Sequence, residues 1–109
     1  MAQTATQKNP GPKSNVATGR FLEDATAAAV EFTLGFTPRY VRVVNVTSGD
    51  SLEWFEGMAA ASAVKVTAST GVVTIITTLG ITVADGKFTL GLDLDVNVAD
   101  EQLSWIALA

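Results

Sequence analysis

The chain has no cysteine and no histidine among its 109 residues. Without a thiol there is no disulfide, no thiolate nucleophile and no thiolate metal ligand. Without an imidazole, the commonest general base near neutral pH and the commonest metal-binding nitrogen are both missing. The many serines and threonines therefore lack a histidine to activate them. Proline occurs three times, aromatic residues make up 7% of the chain, and charged residues 17%. No apolar run approaches the roughly 18 residues that a membrane-crossing helix needs. The first twenty residues are polar and do not resemble a secretory leader. Glycine-rich phosphate loops are absent too: there is no G-x-G-x-x-G and no G-K-[ST].

What is present is apolar and strand-like. Hydrophobic residues reach 48% and the mean hydropathy is +0.32. That is high for a single domain of this size, so apolar surface must be buried on several strands or meet another subunit. The net charge of −4 is unevenly spread. Residues 1–22 carry Lys8, Lys13 and Arg20 and no acid, whereas all eleven acids lie beyond them with only Arg39, Arg42, Lys65 and Lys87 for company. A basic start on an acidic body argues against nucleic-acid binding by the body.

Residues 1–20 contain Pro10-Gly11-Pro12 and almost nothing large and apolar, so they read as an extended arm, with residues 21–109 as the folded domain. Within that domain the apolar period is two. The first strand is expected from about Ala27 to Leu34, followed by a turn over Gly35–Pro38. Tyr40–Val46 is β-branched and aromatic, the strongest strand signal in the chain. Ser51–Phe55, Val64–Thr67, Val72–Thr77, Ile81–Val83, Lys87–Leu90 and Leu103–Leu108 complete the pattern. Ser69-Thr70-Gly71 marks one hairpin, and Asp85-Gly86 suits a type I′ turn. The expectation is all-β: a compact antiparallel sandwich or distorted barrel of about eight strands, carrying an extended N-terminal arm.

Few residues could carry chemistry. Asp93-x-Asp95-x-Asn97 sets three oxygen side chains at alternate positions, a pattern suited to Ca²⁺. The helix-loop-helix calcium motif is broken, however: Val98 stands where its glycine belongs and Ser104 where its closing glutamate belongs. Leu92, Leu94 and Val96 alternate with these polar residues as on a half-buried strand, and that plainer reading is preferred. Glu53 and Glu56 flank Trp54-Phe55, but no third polar group completes a glycosidase pair. No metal, cofactor or catalytic residue is assigned. Lys8, Lys13, Arg20, Arg39, Arg42, Trp54 and Phe55 remain as candidates for an interface with other subunits.

The order of turn and strand motifs resembles a family. Gly35-Phe36-Thr37-Pro38-Arg39-Tyr40-Val41-Arg42-Val43-Val44-Asn45-Val46-Thr47 is followed by Glu53-Trp54-Phe55-Glu56-Gly57-Met58. Then come Asp85-Gly86-Lys87-Phe88-Thr89-Leu90-Gly91, Asp95-Val96-Asn97-Val98 and Leu103-Ser104-Trp105-Ile106-Ala107. Over residues 27–109 this is similar to the small β-rich virion proteins of tailed bacteriophages that decorate heads or sit at tail and fibre positions. The Ala-rich stretch Ala59–Ala63 departs from the pattern. The resemblance implies a non-enzymatic virion protein, foremost a head-decorating (cement) protein made in the host cytoplasm. Its partner would be the major capsid protein, its assembly a homotrimer, its arm a clamp on neighbouring subunits. The alternatives are a tail or fibre component, or a carbohydrate-binding sandwich that uses Trp54 or Trp105.

Overall fold

The computed structural model describes residues 15–109. Among them there is no helix, and so none long and apolar enough to cross a membrane. Eight strands form: β1 (Val16–Leu22), β2 (Val30–Thr33), β3 (Tyr40–Asn45), β4 (Ser51–Phe55), β5 (Ser62–Thr67), β6 (Val72–Ala84), β7 (Lys87–Leu90) and β8 (Gln102–Leu108). All pairs are antiparallel, in one sheet of order β1-β8-β3-β4-β5-β6-β7-β2. Of the two expected architectures, the distorted barrel is the one realised. A single sheet curls on itself, and among the described residues no second sheet stacks on it.

The curl follows from where the aromatic side chains meet. Phe32 on β2 stacks on Phe88 of β7 with centroids 4.8 Å apart. The same Phe32 lies 5.2 Å from Trp105 on β8 and 5.8 Å from Phe21 on β1. Opposite ends of the sheet thus share one aromatic cluster, and edge-to-face geometries such as Phe21 on Phe32 favour it. Around it, Val41, Val43, Leu52, Ile81, Phe88, Leu90, Val96 and Leu103 are fully buried. Each such side chain contributes roughly 1.5–3 kcal/mol of burial, which sets this inner face as the core.

Strand β1 corrects the boundary placed at residue 20. Val16–Arg20 are not outside the domain: they pair with β8 from Val16↔Leu108 to Arg20↔Ser104. The physical reason is Gly19. It faces Trp105 across the ladder, and a Cβ there would lie 2.7 Å from the indole ring. A glycine that weakens strand propensity in the sequence makes room for the largest side chain of the neighbouring strand. Lys8 and Lys13 lie outside the described residues.

Two turns also differ from expectation. At Asp85-Gly86 only Gly86 has positive φ, at 75°, so the turn is not type I′. The preceding β2–β3 connection captures it instead. Gly86 donates its N–H to Thr37 Oγ1 at 3.0 Å and accepts from the N–H of Leu34 at 2.8 Å. The Asp93–Asn97 segment is a turn, not a strand arm: Asp93 Oδ1 accepts the N–H groups of Asp95 and Val96 at 2.9 and 3.3 Å. This local bonding competes with any ladder and leaves Leu94 84% exposed.

Candidate functional site

The curled sheet has two unlike faces, because side chains alternate along each strand. The inner face is the core. The outer face can be laid out from the pairing register. One row across it runs Arg20, Ser104, Val44, Ser51, Val66, Val73. The next runs Thr18, Ile106, Arg42, Glu53, Val64, Ile75. A third sets Tyr40 between Leu108 and Phe55. This surface is largely apolar or hydroxylated, with two arginines and one acid.

Arg42, Val44, Ser104, Trp105 and Ile106 line a shallow depression of about 210 Å³ on this face. Arg20 stands beside Ser104 on the next strand, so two guanidinium groups flank it. Both are exposed, and neither has an ion-pair partner among the described residues. Phe55 is 47% exposed and lies against Tyr40, with ring centroids 5.1 Å apart. The structure therefore brings Arg20, Arg42 and Phe55 onto one face.

The other predicted interface residues are placed differently. Trp54 lies on the inner face, 7% exposed, with its Nε1–H directed to the Ala59 carbonyl at 3.4 Å. It is a core residue, which removes it from the interface set. Arg39 pairs with Glu56 at 3.4 Å near the turn after β4. Trp105 is half-buried within the aromatic cluster. Neither indole offers the open platform that sugar stacking requires. Glu53 does not act with Glu56: it accepts the Tyr40 hydroxyl at 2.6 Å.

Two features were not drawn from the sequence. Ser62-Ala63-Val64-Lys65 spells Ser-x-x-Lys, an arrangement that can activate a serine. Here it lies on β5, and the lysine is committed elsewhere. Lys65 Nζ sits 2.9 Å from Asp93 and 2.7 Å from Asp95, in the place a cation would take in an oxygen-rich turn. Asp93 and Asp95 thus anchor the β7–β8 connection to β5. Asn97 adds a second anchor by donating to the carbonyls of Ala28 and Gly91. No group of three or more acids suited to a metal occurs among the described residues.

Tyr40 is the only tyrosine, so its titration can be followed alone. Burial, then the hydrogen bond to Glu53 and its charge, push the phenol up to about 12, against a smaller opposite pull from Arg42. A group whose pKa is raised on folding stabilises the fold fully below its unfolded value near 10, and that contribution fades as the pH climbs to about 12. Near-ultraviolet absorbance of the phenolate should give a midpoint near 12 in the native protein. Glu53→Gln should move it back toward the ordinary value. An ordinary midpoint in the native wild type would show that the Tyr40–Glu53 bond does not persist in solution.

Comparison with known proteins gives no match: no family model, no curated protein and no solved structure is significantly similar to this chain.

Proposed function

We propose that the chain is a non-enzymatic structural protein of a bacteriophage virion, a head-decorating protein that docks the outer face of its sheet on the major capsid protein. The observation that supports this most is the composition of that face. It carries exposed Phe55, Val73 and Ile75 together with Arg20 and Arg42, which have no ion-pair partner among the described residues. Aromatic residues and arginine with few acids are what docking surfaces favour over the rest of a protein's exterior. The motif order described above supplies the phage context. The absence of histidine and cysteine, with Glu53, Glu56 and Lys65 all engaged in internal contacts, leaves no evident catalytic set. A carbohydrate-binding role is disfavoured, since Trp54 and Trp105 both turn inward.

Docking of this kind acts by multiplicity. A modest interface repeated over a particle sums to a large stabilisation, and a copy that touches two capsid subunits makes its second contact effectively intramolecular. Charge at such a surface governs mainly encounter and salt dependence. The test is co-sedimentation of the protein with capsids assembled from the major capsid protein. Wild type should bind, with occupancy falling as salt rises. The double variant Arg20→Glu/Arg42→Glu should bind roughly tenfold more weakly, a change of about 1.4 kcal/mol. Occupancy that is the same for both proteins at every salt concentration would overturn the assignment of this face.

A further inference from the structure

Strand β6 is paired on only one edge over its first part. Val72–Ile76 pair with β5, from Thr67↔Val72 to Ala63↔Ile76. Strand β7 joins β6 only from Ile81 onward. Between these stretches the register jumps, Leu79 adopts a positive φ of 61°, and Gly80 packs against the backbone of Ala61 and Ser62. Among the described residues, nothing pairs with the second edge of Val72–Ile76. This edge presents backbone donors and acceptors flanked by exposed apolar side chains: Val72 is 54%, Val73 64% and Ile75 68% exposed.

Open edges are usually guarded by lysine, proline or an inward charge. None is present here, since Val66–Ala84 contains no charged residue and no proline. The run Val-Val-Thr-Ile-Ile is instead strongly β-forming, the type of segment that takes up another strand.

We propose that this edge pairs with the same edge of a second copy of the chain, antiparallel about a two-fold axis at Thr74. The register follows from the open segment itself, whose midpoint is Thr74. Val73 then faces Ile75 of the second copy, Val72 faces Ile76, and the two Thr74 hydroxyls meet on the axis. Every cross-strand pair is β-branched, and a Thr–Thr pair can hydrogen-bond. Charge selects the occupant. The chain is acidic overall, at −4, so two copies repel over much of their surfaces. Val66–Ala84, the longest stretch of the described residues without a charge, lets two like chains meet along the β5–β6 ribbon without opposing like charges. A charged partner of another kind would find nothing on it to recognise. Because both copies use the same edge, the pairing closes at two and not at the three copies expected of a decoration ring. The rows Val66–Val73 and Val64–Ile75 then run on into those of the second copy.

The inference stands apart from the proposed function and is tested without capsids. Light scattering behind size exclusion should give the wild type a mass twice the 11.3 kDa of one chain. Val73→Lys/Ile75→Lys sets lysines opposite lysines across the axis, and Val73→Glu/Ile75→Glu does the same with carboxylates. Each should elute with the mass of one chain, folded by circular dichroism, since both positions are exposed. Mixing the two variants in equal amounts should restore the doubled mass. A wild type of single or triple mass at every concentration would overturn the proposal, whatever the variants do. So would charged variants that keep the doubled mass, or a mixture that stays single.

Discussion

Lys65→Met should cost about 3–5 kcal/mol of stability, because it leaves a buried carboxylate without its counter-charge. Asp93 is 5% exposed. Its Oδ1 already accepts two backbone N–H groups, and among the described residues its Oδ2 meets Lys65 Nζ alone, at 2.9 Å. With the ammonium gone, Asp93 stays buried beside the second carboxylate of Asp95. In a domain of this size such a loss lowers the melting temperature by roughly 12–40 °C. Asp95→Asn should cost less than about 1 kcal/mol, since the Asp95 side chain is 49% exposed and water screens its half of the contact. Lys65→Met/Asp93→Asn should recover much of the loss by removing both charges. Urea unfolding of the three variants measures this, and an unchanged midpoint for Lys65→Met would show that the anchor contributes nothing. The pH dependence has a defined sign. Burial pulls the Lys65 pKa down, but the hydrogen bonds and charges of Asp95 and Asp93 outweigh it, so the folded value is raised above 10.5. The contribution is therefore complete below pH 10.5 and is lost as the pH rises through the folded value. Wild type and Lys65→Met should converge in stability at strongly alkaline pH.

Trp54→Ala should be of similar size, about 3–5 kcal/mol, because it empties the largest side chain on the inner face of β4. Trp54 faces Val41 across the β3–β4 ladder and is 7% exposed. The neighbouring residue supplies the control. Phe55 points to the outer face and is 47% exposed, so Phe55→Ala should change stability by no more than roughly 1 kcal/mol while weakening the capsid binding proposed above. Two adjacent aromatics on one strand should thus separate folding from docking. Equal loss of stability in both variants would contradict the two-faced reading of β4.

Much of this was legible in residue order, for reasons that differ by element. Ser51–Phe55 and Lys87–Leu90 form the strands expected, and β3 and β8 depart from expectation by one residue each. Alternation is strict in β3 and β7, where Val41, Val43, Asn45, Phe88 and Leu90 are fully buried at every second position, and β4 and β8 bury Leu52, Trp54, Leu103 and Ala107 on the same inner face. Strand β1 was not legible: its outward residues include Thr18 and Arg20, and its inward Gly19 signals a break when Trp105 is out of view. The turn at Asp93 was hidden by the opposite error. Leu92, Leu94 and Val96 alternate like a strand, yet only Val96 is buried, because the Asp93 side chain bonds its own following backbone. Of the candidate interface, Arg20, Arg42 and Phe55 were identified from residue type. Their meeting on one face needed the register of β1, β8, β3 and β4, which composition does not carry.

The place of β8 in the sheet has a consequence for how the chain reaches its fold. It lies between β1 and β3, yet it follows every other strand in sequence. The backbone of Asn15 even accepts from Ala109, so the two ends of the described chain are tied together. The hairpins β3–β4, β4–β5, β5–β6 and β6–β7 can form early from neighbours, at small loop-closure cost. β1 has no such neighbour and must wait, unpaired, until β8 is available. β2 waits in the same way for β7, but the later step is the long-range insertion of β8 between β1 and β3, and such pairings slow folding relative to a simple meander. Arg20 and Arg42, which sit on either side of β8, come together only at that step. A chain cut short before β8 would have no depression to present, because Ser104, Trp105 and Ile106 form one wall of it.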